Sequence, residues 1–260
     1  MTTILVFLFG LAIGSFLAAL TYRLPKEISI AKGRSFCPKC KKTLLWYDNI
    51  PLFSFLVLGG KCRFCHKKIS PRYFCIELSM GLLFVASYLF YPVISSNISW
   101  LNTLNPLLGM IFVFIIVFLM MGIFVVDFEH QFIPDEFVFL GILFSLISLI
   151  VSDTDRLFVY LLSGFAGAMF LLAIHLATRG KGMGLGDVKL AVLIGLILGF
   201  PYMPLWMFTA FILGSIVGVT LLFMGKARMK QRIAFGPFLV ASFLITSFCA
   251  NKILSFLFPL

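Results

Sequence analysis

The stretch PLLGMIFVFIIVFLMMGIFVV, residues 106–126, runs for 21 residues without a charged side chain. An α-helix needs about 20 mostly apolar residues to cross the hydrocarbon core of a bilayer, which is about 30 Å thick. Residues 106–126 therefore predict a membrane-spanning helix. The same criterion, applied outward along the chain, predicts eight spans: 3–22, 74–93, 106–126, 137–151, 157–177, 187–200, 203–224 and 238–257.

The composition excludes most other classes of protein. Of the 260 residues, 61% are hydrophobic and 12% are charged, whereas about a quarter of the residues in a soluble domain are charged. A soluble chain of this length cannot hide so much apolar surface from water, and a disordered chain has low hydrophobicity. Six cysteines over this length do not indicate a small disulfide scaffold. We therefore expect an all-α polytopic membrane protein.

The distribution of basic residues predicts how the chain crosses the membrane. If the N-terminus is outside, the inside segments together with Lys189 hold 19 of the 21 Lys and Arg residues, and Arg156 and Lys252 fall outside. These inside segments are 23–73, 127–136, 178–186 and 225–237. Cytoplasmic loops carry an excess of Lys and Arg, so the pattern favours a multi-pass membrane protein with its N-terminus outside. We interpret the net charge of +11 as topology and contact with the lipid bilayer, and expect no nucleic-acid partner.

The spans divide the chain into three parts. Residues 1–22 form the first transmembrane helix, residues 23–73 form a polar, basic cytoplasmic insert, and residues 74–260 hold the remaining seven helices. The insert is the largest segment outside the predicted spans, so we expect it to fold as a small domain.

Four cysteines in the insert have the spacing of a zinc ribbon. Cys37 and Cys40 form one C-x2-C pair, and Cys62 and Cys65 form a second pair after 21 intervening residues. Cytosolic thiols stay reduced, which favours a metal over disulfides. A closed four-cysteine site usually stabilises a loop without doing chemistry. A redox pair or a site without metal are the alternatives, and His66 is expected to be a bystander.

Two acidic residues lie where an ionised carboxylate is energetically unfavourable, and this placement indicates a function. Asp127 ends an apolar helix, where its charge opposes the helix dipole, and Asp187 follows the glycines of Gly182-Met183-Gly184-Leu185-Gly186. Asp187 also fits a plain helix cap, but a cap does not explain the glycines. Two neighbouring carboxylates share a proton, so that one activates water and the other polarises a carbonyl. The pair predicts an aspartic protease, whereas Asp135 and Glu136 fit an ordinary acidic first turn.

A set of motifs, in order along nearly the whole chain, resembles the bacterial prepilin peptidases. Gly184-Leu185-Gly186-Asp187 matches the GxGD signature of membrane aspartyl proteases. The family usually has a proline after the Arg-Tyr pair, where this chain has Phe74. The other matching segments are Gly14–Leu17, Tyr22–Pro25, Tyr47–Pro51, the two cysteine pairs, Arg72-Tyr73, Glu77-Leu78, Asp127, Ile133–Asp135, Lys189-Leu190 and Phe235–Phe238.

The resemblance implies an endopeptidase that removes a short basic leader from type IV prepilins or pseudopilins, after a glycine and at the cytoplasmic face. It implies that Asp127 and Asp187 are catalytic. Members with the cysteine-bearing insert also N-methylate the new N-terminus from S-adenosylmethionine. The positions that it suggests for methylation are Arg23, Asp48, Asn49, Arg72 and Glu77.

Each of these methylation candidates has a structural alternative. The arginines fit interfacial anchors, Asp48-Asn49 fits a turn, and Glu77 fits a buried partner of a basic side chain. At the level of the whole chain, the alternatives are a transporter with intramembrane acids or a non-catalytic membrane assembly protein.

Overall fold

The computed structural model describes residues 1–29, 35–37, 39–225 and 234–257, and within them the chain is helical with two isolated bridges and no strand. Most of the predicted inside loop 225–237 lies outside these residues. The chain divides into two compact units, Met1–Leu89 and Phe90–Leu260. The first contains α1 (Thr2–Arg23), α2 (Phe53–Val57) and α3 (Pro71–Leu89). The second contains α4 (Tyr91–Asn97), α5 (Pro106–His130), α6 (Asp135–Ser152), α7 (Leu157–Ala177), α8 (Leu185–Leu198), α9 (Tyr202–Phe223) and α10 (Gly236–Leu257).

Seven helices of the described residues are long and apolar enough to cross a membrane: α1, α3, α5, α6, α7, α9 and α10. The prediction of an all-α, multi-pass membrane protein is confirmed. A helix is also present at the sixth predicted span, 187–200, but this helix, α8, has 14 residues and is about 21 Å long. Nine of those residues are buried, because α8 packs against α6 and α7. A helix shielded by its neighbours does not need the full length of a lipid-facing span.

In the first unit, α1 and α3 pack closely along their length. Gly14 makes the approach possible, because a Cβ at this position would lie 2.8 Å from the Cα of Glu77. Small residues at such crossings let helices in a membrane approach each other at backbone distance. The crossing brings Ser15, the residue after Gly14, next to the Glu77 side chain.

The segment between α3 and α5 differs from the expectation. The second span was expected to continue to residue 93, but α3 ends at Leu89 and α4 starts at Tyr91, since Pro92 cannot donate the hydrogen bond that continues a helix. Part of the segment that follows α4 is buried in the protein instead of forming an exposed loop. Trp100 is fully buried and its Nε1 donates to the Ile197 carbonyl at 3.0 Å. This bond fixes the end of α8 opposite Asp187.

Candidate functional site

Asp127 lies in the last turn of α5, which extends to His130, four residues beyond the predicted span. Its side chain is buried, with 5% of the residue exposed. The Gly236 amide, at the start of α10, donates to Asp127 Oδ2 at 2.9 Å. The amide compensates part of the penalty for burying a carboxylate at the negative end of a helix.

The contact between the α10 backbone and Asp127 requires a glycine at position 236. A Cβ on Gly236 would lie 2.6 Å from Asp127 Oδ2, which is too short for a carbon and an oxygen that are not bonded. Any larger residue would push the α10 backbone away from the carboxylate. The sequence contained this glycine within the Phe235–Phe238 motif, but no role was predicted for it.

Asp187 lies in the first turn of α8 and is 7% exposed. Its Oδ2 accepts a hydrogen bond from the Gly184 amide at 3.0 Å, so the side chain reaches back and caps its own helix. The capping alternative is thus correct for one oxygen. The other oxygen accepts no hydrogen bond within the part of the chain that the structure describes, and the same is true of Asp127.

Both aspartates line one cavity of about 1410 Å³ in the second unit. They are close enough for the charge on Asp127 to act on Asp187. The backbone of residues 180–186 forms one wall, and Gln131 to Ile133 form part of the other. The arrangement offers two carboxylate oxygens and a glycine-rich wall to a bound ligand.

The glycine-rich wall is held at both of its ends. His175 Nδ1 is hydrogen-bonded to the Met183 carbonyl oxygen at 2.7 Å. The Gly182 amide donates to Thr178 Oγ1 at 3.1 Å. At the other end, Gly186 lies against Ile133, whose Cβ would be 2.9 Å from an added Cβ. The wall is therefore fixed in place at both ends, and its glycines add no side chains to the cavity.

Two other acidic residues near this cavity have a basic side chain as a neighbour. Lys189 Nζ lies 2.8 Å from both carboxylate oxygens of Asp135, which ties the start of α6 to α8. Glu129 Oε2 and His130 Nε2 lie 4.0 Å apart at the surface. Within the described residues, Asp127 and Asp187 have no basic partner of this kind.

The four cysteines of the first unit come together as the spacing predicts. The Sγ atoms of Cys37, Cys40, Cys62 and Cys65 all lie within 4.8 Å of one another. A tetrahedral zinc ion with Zn–S bonds of about 2.3 Å separates its sulfur ligands by about 3.8 Å. The cluster fits one such ion after a small contraction, and no disulfide joins these cysteines.

The two cysteine pairs have the same backbone geometry. The Cys37 amide donates to the Lys42 carbonyl and the Cys62 amide donates to the Lys67 carbonyl, both at 2.9 Å. Backbone hydrogen bonds, led by that from the Cys65 amide, lower the pKa of the Cys62 thiol to about 7. Turns that donate amides to sulfur favour the thiolate, which is the form that binds metal.

A second cavity, of about 1080 Å³, lies within the first unit. Four of the five residues suggested for methylation line it: Arg23, Asp48, Asn49 and Glu77. Aromatic rings of Tyr22, Phe36, Phe55, Tyr73 and Phe74 form much of the remaining wall, and Cys37 and Cys62 lie at its edge. The cavity therefore joins the cysteine cluster to the α1–α3 pair.

The polar residues of this cavity have different environments. Asp48 is bound to Arg63, with Oδ1 2.8 Å from the Arg63 guanidinium, and this carboxylate raises the pKa of Arg63. Arg72 does not line the cavity, and instead donates to the Ala18 carbonyl at 2.9 Å and to Thr21 Oγ1 at 2.8 Å. Glu77 is 8% exposed and accepts a hydrogen bond from the Leu52 amide at 2.9 Å.

Comparisons with known proteins find two family models that match different parts of the chain. Residues 8–91 match the bacterial peptidase A24 N-terminal domain, and residues 112–219 match the type IV leader peptidase family. No solved structure matches.

Three curated relatives carry the name prepilin leader peptidase/N-methyltransferase. The one from Vibrio cholerae is 32% identical over 255 residues, which cover 92% of this chain and 93% of the relative. The one from Legionella pneumophila is 32% identical, with 95% and 91% covered. The one from Bacillus subtilis is 29% identical, with 97% and 96% covered. On this similarity along nearly its whole length, the chain belongs to the type IV leader peptidase family.

Proposed function

We propose that this chain is a membrane aspartic endopeptidase that removes the basic leader from type IV prepilins or pseudopilins and N-methylates the new N-terminal residue. The names of the relatives support both activities. The observation that carries the peptidase is the pair of buried aspartates, Asp127 and Asp187, on one cavity. Membrane-embedded carboxylates are expensive to bury and are retained for a function.

In the proposed reaction, Asp127 and Asp187 hold one proton between them. The ionised carboxylate accepts a proton from a water molecule, while the protonated carboxyl donates a hydrogen bond to the scissile carbonyl. The amides of Gly236 and Gly184 each hold one carboxylate oxygen, so that the two remaining oxygens act on the water and the carbonyl. Preorganised groups of this kind are effective because they do not reorganise during the reaction.

The substrate would lie along the glycine-rich backbone of residues 182–186. A peptide bond must leave its helix before an enzyme can cleave it, because helical carbonyls are already hydrogen-bonded and surrounded by side chains. The glycines of this wall, Gly182, Gly184 and Gly186, admit such an extended segment at backbone distance. A prepilin places its leader at the start of an apolar helix, so the positive-inside pattern supports a cleavage site at the cytoplasmic face of the bacterial inner membrane, with the N-terminus of this chain outside.

For the second activity, S-adenosylmethionine would occupy the cavity of the first unit and supply a methyl group activated by its sulfonium. Arg23, Asn49 and Glu77 would contact the ligands, and Asp48 would hold the loop through Arg63. Arg72 would contribute indirectly, since it ties α3 to α1. Zinc bound by Cys37, Cys40, Cys62 and Cys65 would fix the wall that Cys37 and Cys62 form. The aromatic walls suit a positively charged sulfonium.

Both activities can be tested with one preparation. Purified protein is incubated with a prepilin and S-adenosylmethionine, and the product is analysed by mass spectrometry. We expect a product that lacks the leader and carries one methyl group on its new N-terminal residue. Uncut prepilin would contradict the peptidase, and a cut but unmodified product would contradict the methyltransferase.

A further inference from the structure

We infer that Glu77 binds the ammonium group of the newly exposed N-terminus of the processed substrate. This inference rests on the proposed methyltransferase function and assigns one of its ligands to one side chain. A methyl-transfer site must hold both a donor and an amine, and the sequence motifs do not distinguish the residues that serve each of them.

The first argument is charge. Glu77 lines the cavity of the first unit and is buried, yet no basic side chain among the described residues forms an ion pair with it. The expectation that it would partner a basic side chain is therefore not met there. Asp48, which lines the same cavity, has its own cation in Arg63. A buried carboxylate without a cation favours a cationic ligand.

The second argument is the way in which Glu77 is held. Leu52 has φ +57 and ψ −47, and the Phe53 amide donates to the Pro51 carbonyl at 2.6 Å. This tight three-residue turn is strained for a residue with a side chain. Its result is that the Leu52 amide points at Glu77 Oε2, at 2.9 Å. This hydrogen bond fixes the carboxylate without neutralising its charge.

The third argument is depth. Glu77 is the seventh residue of α3, about 9 Å along the helix axis from Pro71. It lies in the second turn of a helix that is long enough to span the membrane. A processed pilin also carries its amine at the first residue of an apolar segment, so the amine lies near the membrane surface. Aromatic Tyr73 and Phe74, which line the cavity beside Glu77, suit the apolar residue that bears this amine.

The test uses detergent-purified protein saturated with S-adenosylhomocysteine, the unreactive product of the donor. The probe is a synthetic peptide that begins with Phe and continues with an apolar segment, and its partner is the same peptide with an N-terminal acetyl group. We expect the wild type to bind the free amine at least about tenfold more tightly than the acetylated peptide, as for a hydrogen bond to a charged group.

The Glu77→Gln variant should bind the two peptides equally. Glu27→Gln is the matched control, because it makes the same exchange at an exposed residue of the same unit that does not line the cavity. It should keep the wild-type preference. If Glu77→Gln does not fold, the wild-type comparison decides alone, because equal binding of free and acetylated peptide overturns the inference.

The methyl donor also carries an amino group, and a second arm of the experiment separates these two sources of an ammonium ligand. A Glu77→Gln variant that binds S-adenosylhomocysteine at least about tenfold more weakly but keeps its preference for the free peptide would overturn the inference. The methylation assay on the same preparation distinguishes failure of this inference from failure of the proposed function. A wild type that methylates but shows no amine preference refutes only the role of Glu77, whereas a wild type that does not methylate refutes the proposed function itself.

Discussion

The two cavities of the molecule each contain acidic side chains that are compensated in two different ways. In the first unit, Asp48 is paired with Arg63 and acts as part of the wall, whereas Glu77 accepts a hydrogen bond from the Leu52 amide. In the second, Asp135 is paired with Lys189, whereas Asp127 and Asp187, among the described residues, receive only the amides of Gly236 and Gly184. A neighbouring cation keeps a carboxylate ionised and neutralises its charge. A backbone amide holds the carboxylate in position but leaves its charge free to act on a ligand. The kind of partner, rather than burial alone, therefore separates structural acids from those proposed to act on ligands.

The largest expected effect concerns leader cleavage and the two aspartates that are held by amides. Asp127→Asn and Asp187→Asn should each reduce leader cleavage at least about a thousandfold, because an amide cannot exchange the proton that the reaction needs. Cleavage of purified prepilin, measured by gel shift, checks this expectation. Asp155→Asn, at an exposed position between α6 and α7, is the control and should cleave normally. Near-normal cleavage by either of the first two variants would refute the dyad.

Removal of the proposed metal should affect the first cavity and spare the second. Cys37→Ser should reduce bound zinc from about one ion per chain to none, and donor binding should fall with it because Cys37 lines the cavity. Leader cleavage should persist. Elemental analysis and a donor-binding assay are the measurements, and Cys75→Ser, at an exposed cysteine outside the cluster, is the control. Zinc retained by the Cys37→Ser protein would argue against the four-cysteine site.

A smaller effect tests whether the amide of Gly236 positions Asp127. Gly236→Ala introduces a Cβ that would lie 2.6 Å from Asp127 Oδ2, so we expect cleavage to fall by about 10- to 100-fold through misplacement of the carboxylate. Gly218→Ala provides the comparison, since a Cβ at Gly218 meets no atom within 4 Å. Steady-state cleavage rates of the two variants measure the difference. Equal rates would show that the contact with Gly236 is dispensable.

The smallest expected effect concerns the paired acid of the first unit. Arg63→Ala leaves the Asp48 side chain, which is 3% exposed, without its cation, and we expect a decrease in the free energy of unfolding because a buried carboxylate loses its partner. Thermal unfolding in detergent measures it. Lys189→Ala removes the partner of Asp135, whose side chain is 51% exposed, and should lose no more than about 1 kcal/mol. A larger loss for Lys189→Ala than for Arg63→Ala would reverse the proposed ranking.

Much of the fold was predictable because lipid imposes simple requirements on length and polarity. Residues 157–177 form a helix with the predicted bounds, since both ends are marked by polar residues. The break at Leu89 was not predicted, because apolar residues continue through it. The burial of Trp100 was not predictable either, since its partner, the Ile197 carbonyl, is distant in sequence.

The candidate site was predictable to the level of residue type. Asp127 and Asp187 stood out because a carboxylate at the end of an apolar helix needs an explanation, and the four cysteines stood out through their spacing. The partners could not be inferred. The amide that binds Glu77 belongs to Leu52, and any residue other than proline has such an amide. Backbone groups leave no mark in a sequence, so only the folded chain shows which acids they hold.

The most direct test of the account compares two leader-peptide analogues in which the scissile amide is replaced. One carries a hydroxymethylene group that imitates the tetrahedral intermediate, and the other carries a methylene group without the hydroxyl. If Asp127 and Asp187 act together on the cleaved bond, the wild type should bind the hydroxyl analogue at least about a hundredfold more tightly, and each Asp→Asn variant should lose most of that preference. Equal affinity of the wild type for the two analogues would contradict the central claim.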